Sequence, residues 1–472
     1  MFTVRRRGAA RLSVAMVASG LLAAGSIAVA GSAIADDATP TAPGATATLG
    51  GLKTADKAVI KEKGKAEEHV SAGLFEMSVD GGGTIQTYCI DIKNPTQTEA
   101  KYKEVSWDQS SLHDNDDAGK INWILQNSYP QVDDLSALQK TAEIKDGALT
   151  PELAAAGTQV AIWRFSDKAD VTAVDPVAEQ LADWLEGNAK DLKEPAASLT
   201  LDPPAVSGKA GDLLGPIKVS TNASTVQVSP APSNPSGVKV TDKNGTAVTS
   251  AKNGDELYFD VEAGTPDGTT SLTATANTKL PVGRAFTGVD STTQVQILAG
   301  SSDSSVSATA TGTWAAKGPI PAVSAEINCA KNGLDVTAAN EGDQPFTFKL
   351  ADKDYTVEAG KSETITVPVA EDQHYKVTIS GPEGFEKTFE GVLDCETAGN
   401  GGDTPSSSPS PATAGGSSEG TGDTGSTTGG DLAETGSSSA TPVIAGIAIA
   451  LVVVGGGAVF FLRKKKAAPS AE

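Results

Sequence analysis

A run of nine residues alternates in polarity, Thr84-Ile85-Gln86-Thr87-Tyr88-Cys89-Ile90-Asp91-Ile92. It follows the turn-like Asp80-Gly81-Gly82-Gly83. Alternation with a period of two residues after a glycine-rich turn predicts a strand that follows a hairpin. Cys89 then lies on one face of this strand, far along the chain from the two other cysteines.

A second run follows further along the chain, Gly157-Thr158-Gln159-Val160-Ala161-Ile162-Trp163-Arg164-Phe165. The apolar spacing of Val160 and Trp163, together with residues 152–156, predicts a helix that carries Gln159. Gly157 is an alternative start for this helix. Single aromatic residues at apolar spacing are normally packing residues, so Trp163 is expected in the core.

Three blocks of sequence resemble a known family. They are Tyr88-Cys89-Ile90-Asp91, then Ile121-Asn122-Trp123-Ile124-Leu125 with Ser128-Tyr129-Pro130, then Thr158-Gln159-Val160-Ala161-Ile162-Trp163. In this order they look like the thioester domains, also called TQxA domains, of Gram-positive surface proteins. The resemblance covers about residues 50–195. It implies a mixed fold of β-structure with a helical insertion, for which residues 107–187 fit, and an internal thioester between Cys89 and Gln159.

The implied chemistry is consistent with the two side chains. A thiol with an ordinary pKa of about 8.5 is nucleophilic only as the thiolate, and a glutamine amide is a poor acyl donor unless it is held in attack geometry. A fold that holds Cys89 against Gln159 supplies that proximity. The thioester is an activated acyl group, which a primary amine of a partner attacks to leave an amide on Gln159. Each molecule would make one covalent bond and would not turn over, so the chain is expected not to be an enzyme.

Other interpretations of Cys89 remain open. A free cysteine is often a small buried hydrophobic residue, which would make the protein an inert surface coat. A secreted cysteine enzyme of the transamidase type would need a base, and His113 is the candidate. Asp91 either orients a donor or caps a turn. The interpretations differ in whether Gln159 is consumed in the resting protein.

The amino terminus has the pattern of a secretory signal. Arg5-Arg6-Arg7 and Arg11 precede an apolar stretch at 12–30, and Ala33-Ile34-Ala35 stands directly before Asp36. This order predicts a signal peptide at 1–35, cleavage between Ala35 and Asp36, and a short flexible start at 36–49.

The carboxyl terminus predicts an anchor. Residues 443–462 are uncharged and long enough to form a transmembrane helix, and a basic cytoplasmic tail follows at 463–472. Leu432-Ala433-Glu434-Thr435-Gly436 precedes this span and resembles a sortase sorting signal of the LAxTG type. The resemblance implies cleavage between Thr435 and Gly436 and attachment of Thr435 to peptidoglycan. Residues 397–431, rich in Gly, Ser, Thr and Pro, are expected to form a coil-like spacer.

The rest of the body is predicted to be β-structure. Short alternating runs punctuated by turns at 196–318 and 319–396 indicate two β-sandwich domains of immunoglobulin-like type. Cys329 and Cys395 bracket the second segment, and in a secreted chain they most simply form a disulfide. The expected fold class is therefore multidomain and mainly β, with the mixed α/β thioester domain at 50–195.

Composition limits the partners. The chain of 472 residues has 59 Asp and Glu against 37 Lys and Arg, a formal charge of −22. The two ends that processing would remove hold eight cations and one anion, so their loss moves the charge to −29. Such a body repels nucleic acid and mildly favours a cationic partner, an amine-bearing molecule of a host, a neighbouring cell or the matrix. Three histidines and three cysteines predict no zinc cluster, and we expect no metal and no cofactor.

Overall fold

A computed structural model describes residues 44–396, and this part of the chain is mainly β-structure with four α-helices. All four helices lie in the first part of it. The elements there are β1 (Thr46–Ile60), β2 (Glu68–Val79), β3 (Thr84–Cys89), β4 (Lys101–Val105), α1 (Ala118–Gln126), α2 (Leu135–Thr141), α3 (Pro151–Ser166), β5 (Val171–Ala173) and α4 (Pro176–Asn188).

The chain then continues through strands alone up to residue 315. These are β6 (Leu199–Asp202), β7 (Ala205–Lys209), β8 (Leu213–Thr221), β9 (Val226–Pro230), β10 (Val238–Thr241), β11 (Ser250–Ala251), β12 (Glu256–Val261), β13 (Gly268–Lys279), β14 (Ala285–Gly288), β15 (Gln296–Ser301) and β16 (Asp303–Ala315). Two sheets, ordered β10-β12-β8-β6 and β11-β9-β13-β16-β7, form a β-sandwich. We call this sandwich the second domain.

The strands β14 and β15 do not belong to the second domain. They complete a seven-stranded sheet ordered β2-β3-β15-β14-β4-β1-β5, and a further pairing of β1 with β2 joins six of these strands into a closed antiparallel barrel. The barrel, β5 and the four helices form the first domain. Because β15 pairs with β3 and β14 pairs with β4, neither β3 nor β4 has an unpaired edge in the closed barrel.

This arrangement differs from the predicted boundary between residues 195 and 196. That boundary placed all of 196–318 in one sandwich, whereas β14 pairs with β4 and β15 pairs with β3 of the first domain. The second domain is therefore inserted between two parts of the first. Local patterns do not indicate which sheet a strand joins. β14 and β15 are short β-type runs between turns, as their neighbours are, and only the structure shows that both of their faces are buried.

A buried ion pair between Arg284 and Glu104 links the two segments by which the chain passes between the first and second domains. Arg284 donates from Nε to Glu104 Oε1 at 2.9 Å, and the same oxygen accepts the Ser198 N–H at 3.0 Å. Arg284 also pairs with Glu194 and donates to the Pro195 carbonyl at 3.2 Å. Glu104 on β4 thus bonds to the segment that leaves the first domain and to the segment that returns to it.

The third domain comprises residues 321–396. Its strands are β17 (Pro321–Asn328), β18 (Gly333–Asn340), β19 (Phe346–Leu350), β20 (Lys353–Val357), β21 (Lys361–Pro368), β22 (His374–Ser380) and β23 (Glu386–Val392). They form two sheets, ordered β17-β18-β21 and β20-β19-β22-β23, around a core that includes Phe346 and Phe348. The expected cysteine pair, Cys329 and Cys395, is bonded in the structure with the Cα atoms 5.3 Å apart.

Several predictions from the sequence concern residues outside the described range. They are the signal peptide with its Ala35–Asp36 cleavage, residues 36–43 of the expected flexible start, the spacer, the sorting motif with Thr435 and Gly436, the span at 443–462 and the basic tail. The remainder of that expected start is not flexible, because β1 begins at Thr46 and pairs there with β2 and β4. Within residues 44–396, none of the helices has the length and apolar character needed to cross a membrane.

Candidate functional site

Cys89 and Gln159 meet at the edge of β3. The Ile90 N–H donates to the Val295 carbonyl at 3.0 Å on the β15 side. Because adjacent residues of a strand direct their polar groups to opposite edges, those of Cys89 face the edge where pairing with β2 has ended at Thr87. Gln159 Oε1 accepts the Cys89 N–H at 2.9 Å, and its Nε2 donates to the Cys89 carbonyl at 2.8 Å. The carboxamide therefore occupies the place of a neighbouring strand.

The helix α3 delivers Gln159 to this edge. It begins at Pro151, after Thr150 has accepted the Leu153 N–H at 3.3 Å, so the predicted helix is present and Gly157 does not mark its start. Threonine at the cap and proline at the first position are the residue types that favour a helix start. Residues 154–163 of the helix are all buried. Gln159 consequently has little freedom to leave the strand edge.

Gly157 lies where α3 packs on α4. A Cβ at this position would collide with the Ala178 carbonyl oxygen of α4. The absence of a side chain lets the two helix backbones approach, and it sets the depth at which α3 enters the core. Gly157 is two residues from Gln159, so this packing fixes the carboxamide against β3.

The Cys89 sulfur is enclosed by backbone and aromatic groups. Sγ donates to the Asp91 carbonyl at 3.1 Å and receives the Asp91 N–H at 3.3 Å. Burial raises the pKa of the Cys89 thiol well above its usual value, and the charges of Asp167 and Asp91 add to this effect. The Trp163 indole acts in the opposite direction on this pKa, although its Nε1–H lacks a hydrogen bond of normal geometry.

Two acidic side chains lie beside the sulfur. Asp91 is fully buried and accepts from Asn94 Nδ2 at 2.6 Å, within the turn that follows β3. Burial, followed by the charge of Asp167, raises the pKa of Asp91 to about 7. Asp167, directly after α3, accepts the Ile92 N–H at 2.9 Å, and burial raises its pKa to about 6. Sequence reasoning missed Asp167, because an isolated aspartate after a helix resembles an ordinary solvated end.

A cleft of about 850 Å³ adjoins this buried site. Ile92, just after β3, and Asp167, just after α3, are part of its lining, whereas Cys89 and Gln159 are fully buried and do not line it. The cleft is acidic. Its charged lining consists of seven carboxylates, Glu62, Asp114, Asp116, Asp117, Asp167, Asp170 and Glu396, and three lysines, Lys61, Lys93 and Lys168.

The remaining candidates from the sequence have structural partners. His113 contacts the Ser110 carbonyl with Nδ1 and Asp114 with Nε2, both at 3.2 Å. Neither contact leads to Cys89, so the geometry gives no support to His113 as its base. Tyr88 donates to the Tyr129 carbonyl at 2.8 Å, and Trp163 is buried as expected. Trp123 is only partly buried and packs on Trp184, with ring centroids 6.1 Å apart.

Two protein families match segments of the chain. Residues 86–191 match the family described as "Thioester domain", and residues 321–392 match "Bacterial phospholipase C, C-terminal domain". The first segment contains both Cys89 and Gln159, and the second coincides with the third domain up to β23. No curated protein matches the chain.

Among solved structures, the chain is similar to the Bacillus anthracis TIE protein, with 15 % identity and a TM-score of 0.26 over 75 % of this chain. It spans 64 % of the length of that protein. The thioester domain of the Enterococcus faecium TIE86 protein is 18 % identical, with a TM-score of 0.26, over 58 % of this chain and 98 % of that one. Both TM-scores are low, so the overall folds of these proteins are only weakly similar to that of this chain. The segment that matches the thioester domain family, residues 86–191, is the one that contains the Cys89–Gln159 contact.

Proposed function

We propose that this protein is a cell-wall-anchored adhesin that captures an amine-bearing partner through a thioester between Cys89 and Gln159. The observation that carries the proposal is the double hydrogen bond between the Gln159 carboxamide and the backbone of Cys89. It holds the acyl carbon beside the thiol on a buried strand edge, which is the proximity that an unreactive amide requires. The match of residues 86–191 to the thioester domain family supports the same chemistry.

Formation of the bond follows from these contacts. The Cys89 sulfur attacks Cδ of Gln159, the C–N bond breaks, and the thiol proton leaves with the amide nitrogen as ammonia. The Cys89 N–H, which bonds to Oε1, stabilises the negative charge that develops on this oxygen. Asp91 and Asp167 are suited to relay the thiol proton, because the pKa values of both are raised into the neutral range.

Capture reverses the roles of the sulfur and a nitrogen. A neutral primary amine of the partner attacks Cδ, the C–S bond breaks, and Cys89 recovers a thiol while Gln159 becomes a secondary amide. Water is the competing nucleophile, and complete burial of both side chains protects the thioester from it. The acidic cleft next to the site favours a partner whose amine belongs to a cationic segment.

Anchoring is the second half of the proposal. The signal at 1–35 and the sorting motif at 432–436 would place the chain outside the cell and join Thr435 to peptidoglycan through a sortase. Each molecule would form one bond, which is binding and not catalysis.

Amine labelling tests the capture step. The chain from Asp36 to Thr435 is treated with a biotinylated primary amine, digested and mapped by mass spectrometry. We expect one labelled residue, Gln159, and no label in Cys89→Ala. Gln296→Ala is a matched control, since Gln296 lies opposite Cys89 on the neighbouring strand β15 and its side chain bonds to Thr87 instead. Label on other glutamines, or equal label in Cys89→Ala, would contradict the proposal.

A further inference from the structure

Three carboxylates of the third domain converge at its boundary with the first domain. Glu371 and Asp372 lie in the turn between β21 and β22, and Asp394 follows β23. One oxygen from each lies within 4.8 Å of the others. Calcium binds oxygens at about 2.3–2.6 Å, so ligands on opposite sides of one ion are up to about 5 Å apart. The spacing of this cluster therefore matches a single calcium ion.

Four of the six carboxylate oxygens in the cluster lack hydrogen-bond donors. Both oxygens of Asp394, together with Glu371 Oε2 and Asp372 Oδ1, are buried and have no partner within the described part of the chain. Asp394 is only 2 % exposed to solvent. A buried carboxylate without a donor or a counter-charge is costly, and natural proteins pair such groups or use them to coordinate a metal.

The turn is already held in place by its other polar groups. Glu371 Oε1 accepts the N–H groups of Cys395 at 2.6 Å and Glu396 at 2.8 Å, which directs Oε2 away from them. The Asp372 N–H donates to the Leu393 carbonyl at 2.9 Å. Glu371 and Asp372 are partly exposed, so water can supply the ligands that complete a calcium shell of six to eight oxygens.

The side chains that surround Asp394 carry negative charge. Glu371 and Asp372 lie beside it in the third domain, and Asp91 of the first domain acts on it as well. A cation would neutralise this cluster, and the unpartnered oxygens are available to coordinate one.

We propose that Glu371, Asp372 and Asp394 bind one calcium ion that fastens the third domain to the first. The first domain reaches the site from two sides. Thr292 Oγ1 donates to the Asp372 carbonyl at 3.1 Å, and Asp91 has an unpartnered oxygen, Oδ1, near enough for its charge to act on Asp394. Asp91 also contacts the Cys89 sulfur, so the ion would stabilise the wall of the thioester site. The binding itself does not depend on thioester formation.

Calorimetric titration tests the site on the chain from Asp36 to Thr435 after treatment with a chelator. With calcium chloride at pH 7.5 we expect one ion per chain, a dissociation constant of about 10⁻³ M or tighter, as extracellular calcium modules have, and a rise in the unfolding temperature. Magnesium chloride is expected to bind at least tenfold more weakly, because the smaller ion requires shorter and more regular ligand distances.

Variants separate the site from general ion binding. Asp394→Asn and Glu371→Gln are each expected to weaken calcium binding at least tenfold and to remove the rise in unfolding temperature. Asp354→Asn, an exposed acid of the same domain that pairs with Lys349, is expected to keep both. Glu371→Gln provides the answer if Asp394→Asn does not fold. The proposal is overturned if calcium at 10 mM gives no binding heat and no thermal shift, or if the variants respond like the unaltered chain.

Discussion

At the scale of single residues, the site rests on a carboxamide that replaces a strand. Gln159 satisfies the N–H and the C=O of Cys89 where β2 no longer pairs, so the same two bonds that complete the sheet also hold the acyl group beside the thiol. A buried polar side chain must find such partners, and the strand edge offers both. Structure and reactivity therefore place the same demand on this position.

Asp167 provides a test of the electrostatics at this scale. Its pKa is raised from 3.8 in the unfolded chain to about 6 in the folded one, chiefly by burial, so the folded state binds the proton more tightly. Stability due to this group is then greatest below pH 4 and is lost as the pH rises from 4 to 6. In Asp167→Asn, the decrease in unfolding free energy between pH 4 and pH 6 should be smaller by about 1–3 kcal/mol than in the unaltered protein.

The measurement is urea unfolding of both proteins from pH 4 to 7. The charge of Asp167 also raises the pKa of Asp91. Asp167→Asn removes this contribution, so the pH dependence of stability that is due to Asp91 should become smaller as well. Identical pH profiles of the two proteins would show that Asp167 is not desolvated in the folded state.

Local patterns predicted the strand that carries Cys89 and the helix that carries Gln159. That the two side chains meet was implied only by the resemblance of their sequence blocks to thioester domains. Asp167 and Asp394 could not be found in this way. An isolated acid has no pattern that distinguishes a buried position from a solvated one. Elements distant in sequence bury Asp394 fully and Asp167 partly.

At the scale of elements, the approach of α3 to α4 sets the position of the site. Gly157→Ala would drive a methyl group into the Ala178 carbonyl oxygen. We expect a loss of about 1–3 kcal/mol in unfolding free energy, the usual cost of overpacking, and slower labelling of Gln159 by amine.

Gly187→Ala is the matched control for this substitution. Gly187 lies in α4 with open space around its Cα, so alanine there should stabilise the protein by about 0.5–1 kcal/mol through helix propensity. Chemical denaturation of both variants measures the difference. Equal effects at the two positions would mean that α3 and α4 do not pack as closely as described.

The ion pair between Glu104 and Arg284 acts on the two crossing segments. Arg284 is 5 % exposed and Glu104 is 2 % exposed, so Arg284→Met leaves a buried carboxylate without its cation. The expected cost is about 3–5 kcal/mol in unfolding free energy. Adding Glu104→Gln to Arg284→Met should recover part of this loss in the same denaturation experiment. A double variant as unstable as the sum of the two single variants would argue against the pairing.

At the scale of the whole molecule, the first domain is discontinuous in sequence. The strand patterns identified β-structure correctly on both sides of residue 196, but the pairing of Cys89 with Gln296 joins segments separated by an entire sandwich. Such a pairing depends on the folded second domain, because its fold holds its two ends, residues 198 and 279, close together. Thr221 bonds to the Ser198 carbonyl and Asn222 bonds to the Lys279 carbonyl. No local pattern contains this information.

A truncation follows from this arrangement. A fragment of residues 44–198 includes the whole family match but lacks β14 and β15, so its barrel has two open edges. We expect it to be unfolded or aggregated by circular dichroism and gel filtration. The same fragment with residues 280–302 joined after residue 198 by a short flexible linker should recover a cooperative unfolding transition. A well-folded fragment of 44–198 would contradict the closed barrel.

The central claim, that Cys89 and Gln159 are joined in the resting protein, is tested most directly by intact mass. The chain from Asp36 to Thr435 is measured as purified, after methylamine treatment, and as Cys89→Ala. We predict that the unaltered chain is lighter than its sequence by one ammonia beyond the two hydrogens of the disulfide, and that methylamine adds to Gln159. A mass without the ammonia loss, together with Cys89 titrating as a free thiol in the unfolded protein, would contradict the account.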